Sequence, residues 1–110
     1  MSATLVLVPR SLPAPNLPGS AMLVHFATAF DAAVSLRATD APAVIVTDGL
    51  DFEDLDSLAA AIRERSGQCI EVRSQRWDGE TQSPVAAVCR GVISGFGADG
   101  IRRAVELLGR

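Results

Sequence analysis

The run Gly95-Phe96-Gly97-Ala98-Asp99-Gly100 has the spacing G-x-G-x-x-G. Glycines spaced in this way let a ligand approach the backbone. A helix that opens just after them presents unpaired N–H groups to an anion or a developing oxyanion. The pattern marks a dinucleotide site only when a second strand carrying an acid follows about 20 residues on. The sequence after Gly100 is a single ten-residue segment ending at Arg110, so that reading is set aside. An anion-type backbone turn at Gly95, Phe96 and Gly97 remains as the candidate substrate-binding feature. Asp99 is the one carboxylate in the turn and the candidate catalytic acid or base. It also lies two residues before Ile101, where Asp commonly caps a helix by accepting its free N–H groups.

The other chemistry-bearing residues are sparser. The acidic cluster Asp48–Asp56 lacks the order of a calcium loop and reads as a solvated turn leading into a helix. The single histidine, His25, has no neighbouring ligand residues, and Cys69 and Cys89 are twenty apart with no C-x-x-C, so no metal site is expected. Both cysteines read as buried reduced thiols in adjacent strands. No G-x-S-x-G elbow occurs. Arg76 and Trp77, residue types that anchor interfaces, form a possible contact surface in a polar loop.

These residues must be positioned by one domain over residues 1–110, with a Pro-rich loop at 10–19. Hydrophobic residues make up 48% of the chain and charged ones 21%, which is the globular range. The net charge is −3 and no basic cluster stands out, so nucleic acid is not an expected partner. No apolar run is long enough to span a membrane, and Met1–Pro9 lacks the build of a signal peptide. The expected location is the cytoplasm, and no cofactor is required by any motif.

Thr4–Val8 is β-branched and apolar and ends at Pro9, a first strand, and Ala43–Thr47 is a short continuous apolar run, the pattern of a strand buried on both faces. Leu23, Phe26, Ala27, Phe30 and Val34 have helical spacing and predict a helix over Met22–Ala38, capped by Ser20. Leu55, Leu58, Ala59 and Ile62 predict a second helix, with Arg63 and Arg65 favouring its negative end and Gly67 as its C-cap. His25 then flanks the first apolar stripe with its ring half buried. Cys69–Val72 and Val85–Cys89 read as strands, and Ile101, Ala104, Val105 and Leu108 as a final amphipathic helix. The sum is an α/β fold: a mainly parallel sheet of about four strands with three helices.

The stretch Ser83–Asp99, SPVAAVCRGVISGFGAD, resembles the glycine-turn segment of the crotonase (enoyl-CoA hydratase/isomerase) family, and Ala43–Gly49 is similar to that family's earlier strand. The resemblance implies part of a crotonase fold, with the Phe96 N–H as one oxyanion donor for an acyl-CoA thioester and Asp99 at an acid/base position. The family's other oxyanion motif is replaced by Phe52-Glu53-Asp54-Leu55, and its second carboxylate falls beyond position 110. The resemblance therefore implies a shortened, non-catalytic accessory subunit that self-associates or packs on a larger enzyme. The alternative is a small acyl-CoA or acyl-thioester enzyme. The third reading is a receiver- or flavodoxin-like interaction module, in which Asp48 is the only candidate phosphoacceptor.

Overall fold

The computed structural model describes residues 4–12, 17, 19, 21–73, 83–96 and 98–108. Arg76, Trp77, Ser20 and Gly97 lie outside them, as does most of the Pro-rich loop. In chain order the elements are β1 (Thr4–Pro9), β2 (Ala21–Phe26), α1 (Ala29–Ala38), β3 (Ala43–Val46), α2 (Phe52–Arg63), β4 (Cys69–Arg73), α3 (Pro84–Val88), β5 (Gly91–Ser94) and α4 (Ala98–Leu108). The five strands form one sheet in the order β2-β1-β3-β4-β5, every pair parallel. The α/β class and the parallel sheet are as the sequence implies, with five strands and four helices among the described residues where about four and three were expected. This strand order is that of flavodoxin-like sheets.

A parallel sheet is covered on both faces, and its central strands are apolar throughout. All of β1 and β3 is buried. On one face Leu5, Leu7, Ala43 and Ile45 meet α1, α2 and Val85 of α3. On the other Val6, Val8, Val44, Val46 and Val72 meet Ile101, Ala104, Val105 and Leu108 of α4. Leu12 and Leu17, from the segment joining β1 to β2, pack against this second cluster. Gly100 allows α4 to come close: a Cβ there would stand 3.3 Å from both Ile93 Cγ2 and Val72 Cγ1.

Several local expectations are corrected. The Met22–Ala38 helix is a strand, β2, followed by a helix that starts only at Ala29. Thr28 caps it, its hydroxyl accepting from the Asp31 N–H at 3.2 Å. The face that α1 buries is Ala29, Ala32, Ala33 and Leu36, so Phe30 and Val34 of the expected stripe point to solvent. His25 is exposed on the edge strand, not half buried on a helix. The Val85–Cys89 strand is the short helix α3, because Ser83 caps it and Pro84 stands in its first turn, a strong helix-start pair. The strand is instead Gly91–Ser94, directly before the glycine run. Gly67 has no positive φ, and the C-cap of α2 is Glu64. Gly67 serves close approach, because a Cβ would collide with the Asp40 carbonyl.

Candidate functional site

Ligands of open parallel sheets bind outside the carboxyl ends of the strands, where neighbouring connections leave to opposite faces. Here that place lies between β1 and β3. After β1 the chain turns toward the α4 face, carrying Leu12 and Leu17, and after β3 it turns into α2 on the other. A cleft of about 550 Å³ opens there, lined by Arg10 and Ser11 after β1, Phe26 and Ala27 after β2, Asp48–Leu50 after β3, and Asp54 of α2. That size is within the range of small-molecule sites.

The backbone fixes this geometry. The Arg10 N–H donates to the Phe26 carbonyl at 2.9 Å, holding the β1 and β2 ends together. The Leu50 N–H closes back on the Thr47 carbonyl at 3.2 Å, a tight turn that requires a positive φ of 78° at Gly49. Asp51 caps α2, its carboxylate accepting from the Asp54 N–H at 2.8 Å, so the positive end of α2 opens at the cleft. The acidic run is thus a turn and a helix start, and among the described residues no group of three or more His, Cys, Asp or Glu could hold a metal ion. Among the described residues the cleft offers one guanidinium, one hydroxyl and two carboxylates over a partly apolar floor.

A second polar group lies farther along the same edge, under the surface. Glu71 of β4 is fully buried. Its Oε2 accepts from Thr47 Oγ1 at 2.6 Å, Ser83 Oγ at 3.0 Å and Arg73 Nε at 3.2 Å, while Oε1 is buried with no partner among the described residues. Cys89 adjoins this group. Its hydrogen bond to Cys69, with burial, pushes its thiol far above the ordinary thiol range. Both cysteines are free; Cys69 is buried in β4, but Cys89 caps α3 and is not in a neighbouring strand.

The glycine turn stands apart from the cleft, two strands beyond β3. Gly95 has a φ of 83°, and its N–H donates to the Arg73 carbonyl at 3.2 Å. Phe96 is half exposed, with Arg103 stacked 4.6 Å from its ring centroid. Asp99 is exposed in the first turn of α4, one residue inside the helix. The structure therefore does not bring Gly95, Phe96 and Asp99 together with the cleft residues. Sequence reasoning passed over Arg10, Ser11 and Asp54 as a group because only the strand order makes them neighbours. It also passed over Glu71, although an acid inside the apolar run CIEV is a signal in itself.

Among solved structures the chain is similar to type II dehydroquinase from Propionibacterium acnes, with a TM-score of 0.74 and 14% identity over 97% of this chain and 96% of that one. It is also similar to a 3-dehydroquinate dehydratase-like protein from Bifidobacterium longum, with a TM-score of 0.64 and 13% identity over 98% and 95% of the two chains. No protein-family model and no curated protein matches the chain. At such identities the likeness is one of fold. It overturns the crotonase (enoyl-CoA hydratase-like) resemblance, and with it the crotonase-like accessory-subunit and hydratase/isomerase readings; the flavodoxin-like third reading fits the fold better. The physical reason is local: the segment that carried the resemblance folds as helix α3 and strand β5, not as a strand running into a glycine turn.

Proposed function

We propose that this chain is a flavodoxin-like binding domain whose cleft between β1 and β3 takes a small hydroxylated monocarboxylate of the 3-dehydroquinate class. The observation that carries this reading is the group Arg10, Ser11, Asp48 and Asp54 at the switch point of the sheet. One guanidinium pairs with one carboxylate, and the two aspartates accept from ligand hydroxyls. With a single guanidinium and two carboxylates among the described lining residues, the cleft disfavours di- or triphosphates, and only a carboxylate seated on Arg10 finds a counter-charge. The compounds named for the two structural neighbours belong to this class. Binding, not dehydration, is the proposed activity, because the cleft's groups are those of recognition.

The two free thiols fit a reducing compartment such as the cytoplasm. Among the described residues no helix is long and apolar enough to cross a membrane. Self-association belongs to the same reading, since large apolar side chains stand on the outer helix surface.

Titration of labelled protein with 3-dehydroquinate, followed by NMR, tests the ligand. Shifts should saturate and map to Arg10, Asp48–Leu50 and Asp54. Arg10→Gln should weaken binding by ~10-fold, the cost of one lost charge-assisted pair. Absence of saturable shifts at ~10 mM ligand, where even a weak millimolar complex would fill, or shifts mapping to Phe96 instead, would overturn the proposal.

A further inference from the structure

Helix α1 is apolar on two sides. Ala29, Ala32, Ala33 and Leu36 face the sheet and α2. Phe30, Val34 and Ala38, at i, i+4 and i+8, form a second stripe that faces solvent, with Phe30 73% and Val34 51% exposed. An apolar stripe on a helix normally faces a partner surface. Beside the outer stripe runs a shallow groove of about 450 Å³ between α1 and α2, where Ala33, Ser57 and Ala60 are small enough for another helix to come close.

We infer that this stripe is a self-association face on which a second copy of the chain docks, α1 antiparallel against α1. The inference rests on the self-association part of the proposed function and is independent of the ligand. The chemistry that selects a second copy is carried by one helix. Phe30 and Arg37 are seven residues apart, two turns, and so lie on the same side of α1, ~10 Å apart along its axis. A two-fold axis perpendicular to α1 near Val34 sets each Arg37 over the Phe30 of the other copy and Val34 against its own counterpart. The patch is then self-complementary, as a two-fold interface must be. Arg37 already pairs through Nε with Glu64 Oε2 at 2.6 Å, an in-plane contact. That contact leaves the flat face of the guanidinium for stacking on an aromatic ring, the arrangement Arg103 and Phe96 adopt elsewhere in the chain.

Light scattering on size-exclusion chromatography of the full chain tests this, with circular dichroism to confirm that each variant is folded. The wild type should run as a dimer or a higher even oligomer. Val34→Asp should weaken the contact by ~100-fold or more by placing two like charges face to face in an apolar interface. Phe30→Arg alone and Arg37→Glu alone should each dissociate, the first by repulsion from the opposing Arg37 and the second by loss of the stacking cation. Their equimolar mixture should re-form a heterodimer. In it the arginine introduced by Phe30→Arg on one copy meets the glutamate introduced by Arg37→Glu on the other, while the remaining Arg37–Phe30 contact is intact. A wild type that stays monomeric at ~1 mM, far above any useful dimer constant, would remove self-association altogether. Folded single variants that still dimerise, or a mixture that stays monomeric, would remove this face and its pairing while leaving self-association in place.

Discussion

Replacing Glu71 tests how the carboxyl edge of the sheet is held together. Its side chain is fully buried, and Oε2 alone accepts from Thr47, Ser83 and Arg73. Thr47 and Ser83 are 4% and 5% exposed, so Glu71→Ala would leave two buried hydroxyls without their acceptor as well as a void. An unpartnered buried hydroxyl costs ~1–3 kcal/mol, and breaking a buried ion pair costs ~3–5 kcal/mol as a whole. The Arg73 side chain is 19% exposed and recovers part of its loss from water, which pulls the sum toward the lower end. The expected cost of Glu71→Ala is therefore ~3–4 kcal/mol, against a total stability of ~5–15 kcal/mol for a chain of this size. At ~4 °C per kcal/mol, the midpoint should fall by ~12–16 °C. Glu71→Gln keeps the shape and one acceptor oxygen and should cost about half as much, ~1.5–2 kcal/mol. Urea and thermal unfolding of the two variants measure both. A loss under ~1 kcal/mol for Glu71→Ala, below the cost of even one stranded hydroxyl, would refute the reasoning. So would a Gln variant as unstable as the Ala variant.

The hydrogen bond to Cys69, with burial, keeps the Cys89 thiol protonated in the native state, whereas the unfolded thiol ionises near ~8.5. Stability from this site is present below that pH and is lost above it at up to ~1.4 kcal/mol per pH unit. Urea unfolding between pH 7 and 10 should show that slope reduced in Cys89→Ser, and an unchanged slope would refute it. Gly67→Ala should cost ~1–3 kcal/mol because a Cβ runs into the Asp40 carbonyl, while Gly91→Ala, with nothing within 4 Å, should cost less than half as much; equal costs by thermal unfolding would count against the packing role. Arg65 is 9% exposed and donates to the Leu36 carbonyl in the last turn of α1 and to the Thr39 and Ala41 carbonyls just beyond it. A lysine cannot reproduce that fork, so Arg65→Lys should lose ~2 kcal/mol; a Lys variant as stable as the wild type would contradict this.

The fold class was legible because the central strands are all apolar: Thr4–Val8 and Ala43–Thr47 cannot be half-exposed. The edge strand β2 was not, because it is buried on neither face in full and shows no clean alternation. Leu23 and Phe26 from the strand and Phe30 and Val34 from the helix fell by chance into one helical register, while the buried face of α1 is mostly alanine and weighs little in an apolar stripe. Five-residue α3 is too short for any period, yet Ser83-Pro84 announced its start. Arg65 was read as complementing its own helix, but its guanidinium serves the end of α1, a contact 24 to 29 residues away in sequence. The cleft could not be read before the strand order, since Arg10 and Asp48 follow strands that are not consecutive in the chain.

The buried carboxylate and the cleft are linked through one residue. Thr47 precedes Asp48, and its hydroxyl is held by Glu71 while its N–H donates to the Val72 carbonyl at 3.1 Å. The turn Thr47–Leu50 is thus pinned at its root by β4, closed by the Leu50 N–H and shaped by Gly49, all before any ligand arrives. A loop fixed in this way holds the backbone at Asp48 in place, and under the proposed function that rigidity lowers the ordering cost of binding. Burial of a carboxyl group is expensive, and an apolar residue of similar size would fill the space under β3 at least as stably. What an apolar residue could not do is hold Thr47, Ser83 and Arg73 at one point. The cost of Glu71 is thereby explained by position: it joins the end of β3, the end of β4 and the start of α3, the three places from which the carboxyl edge beyond β1 is built.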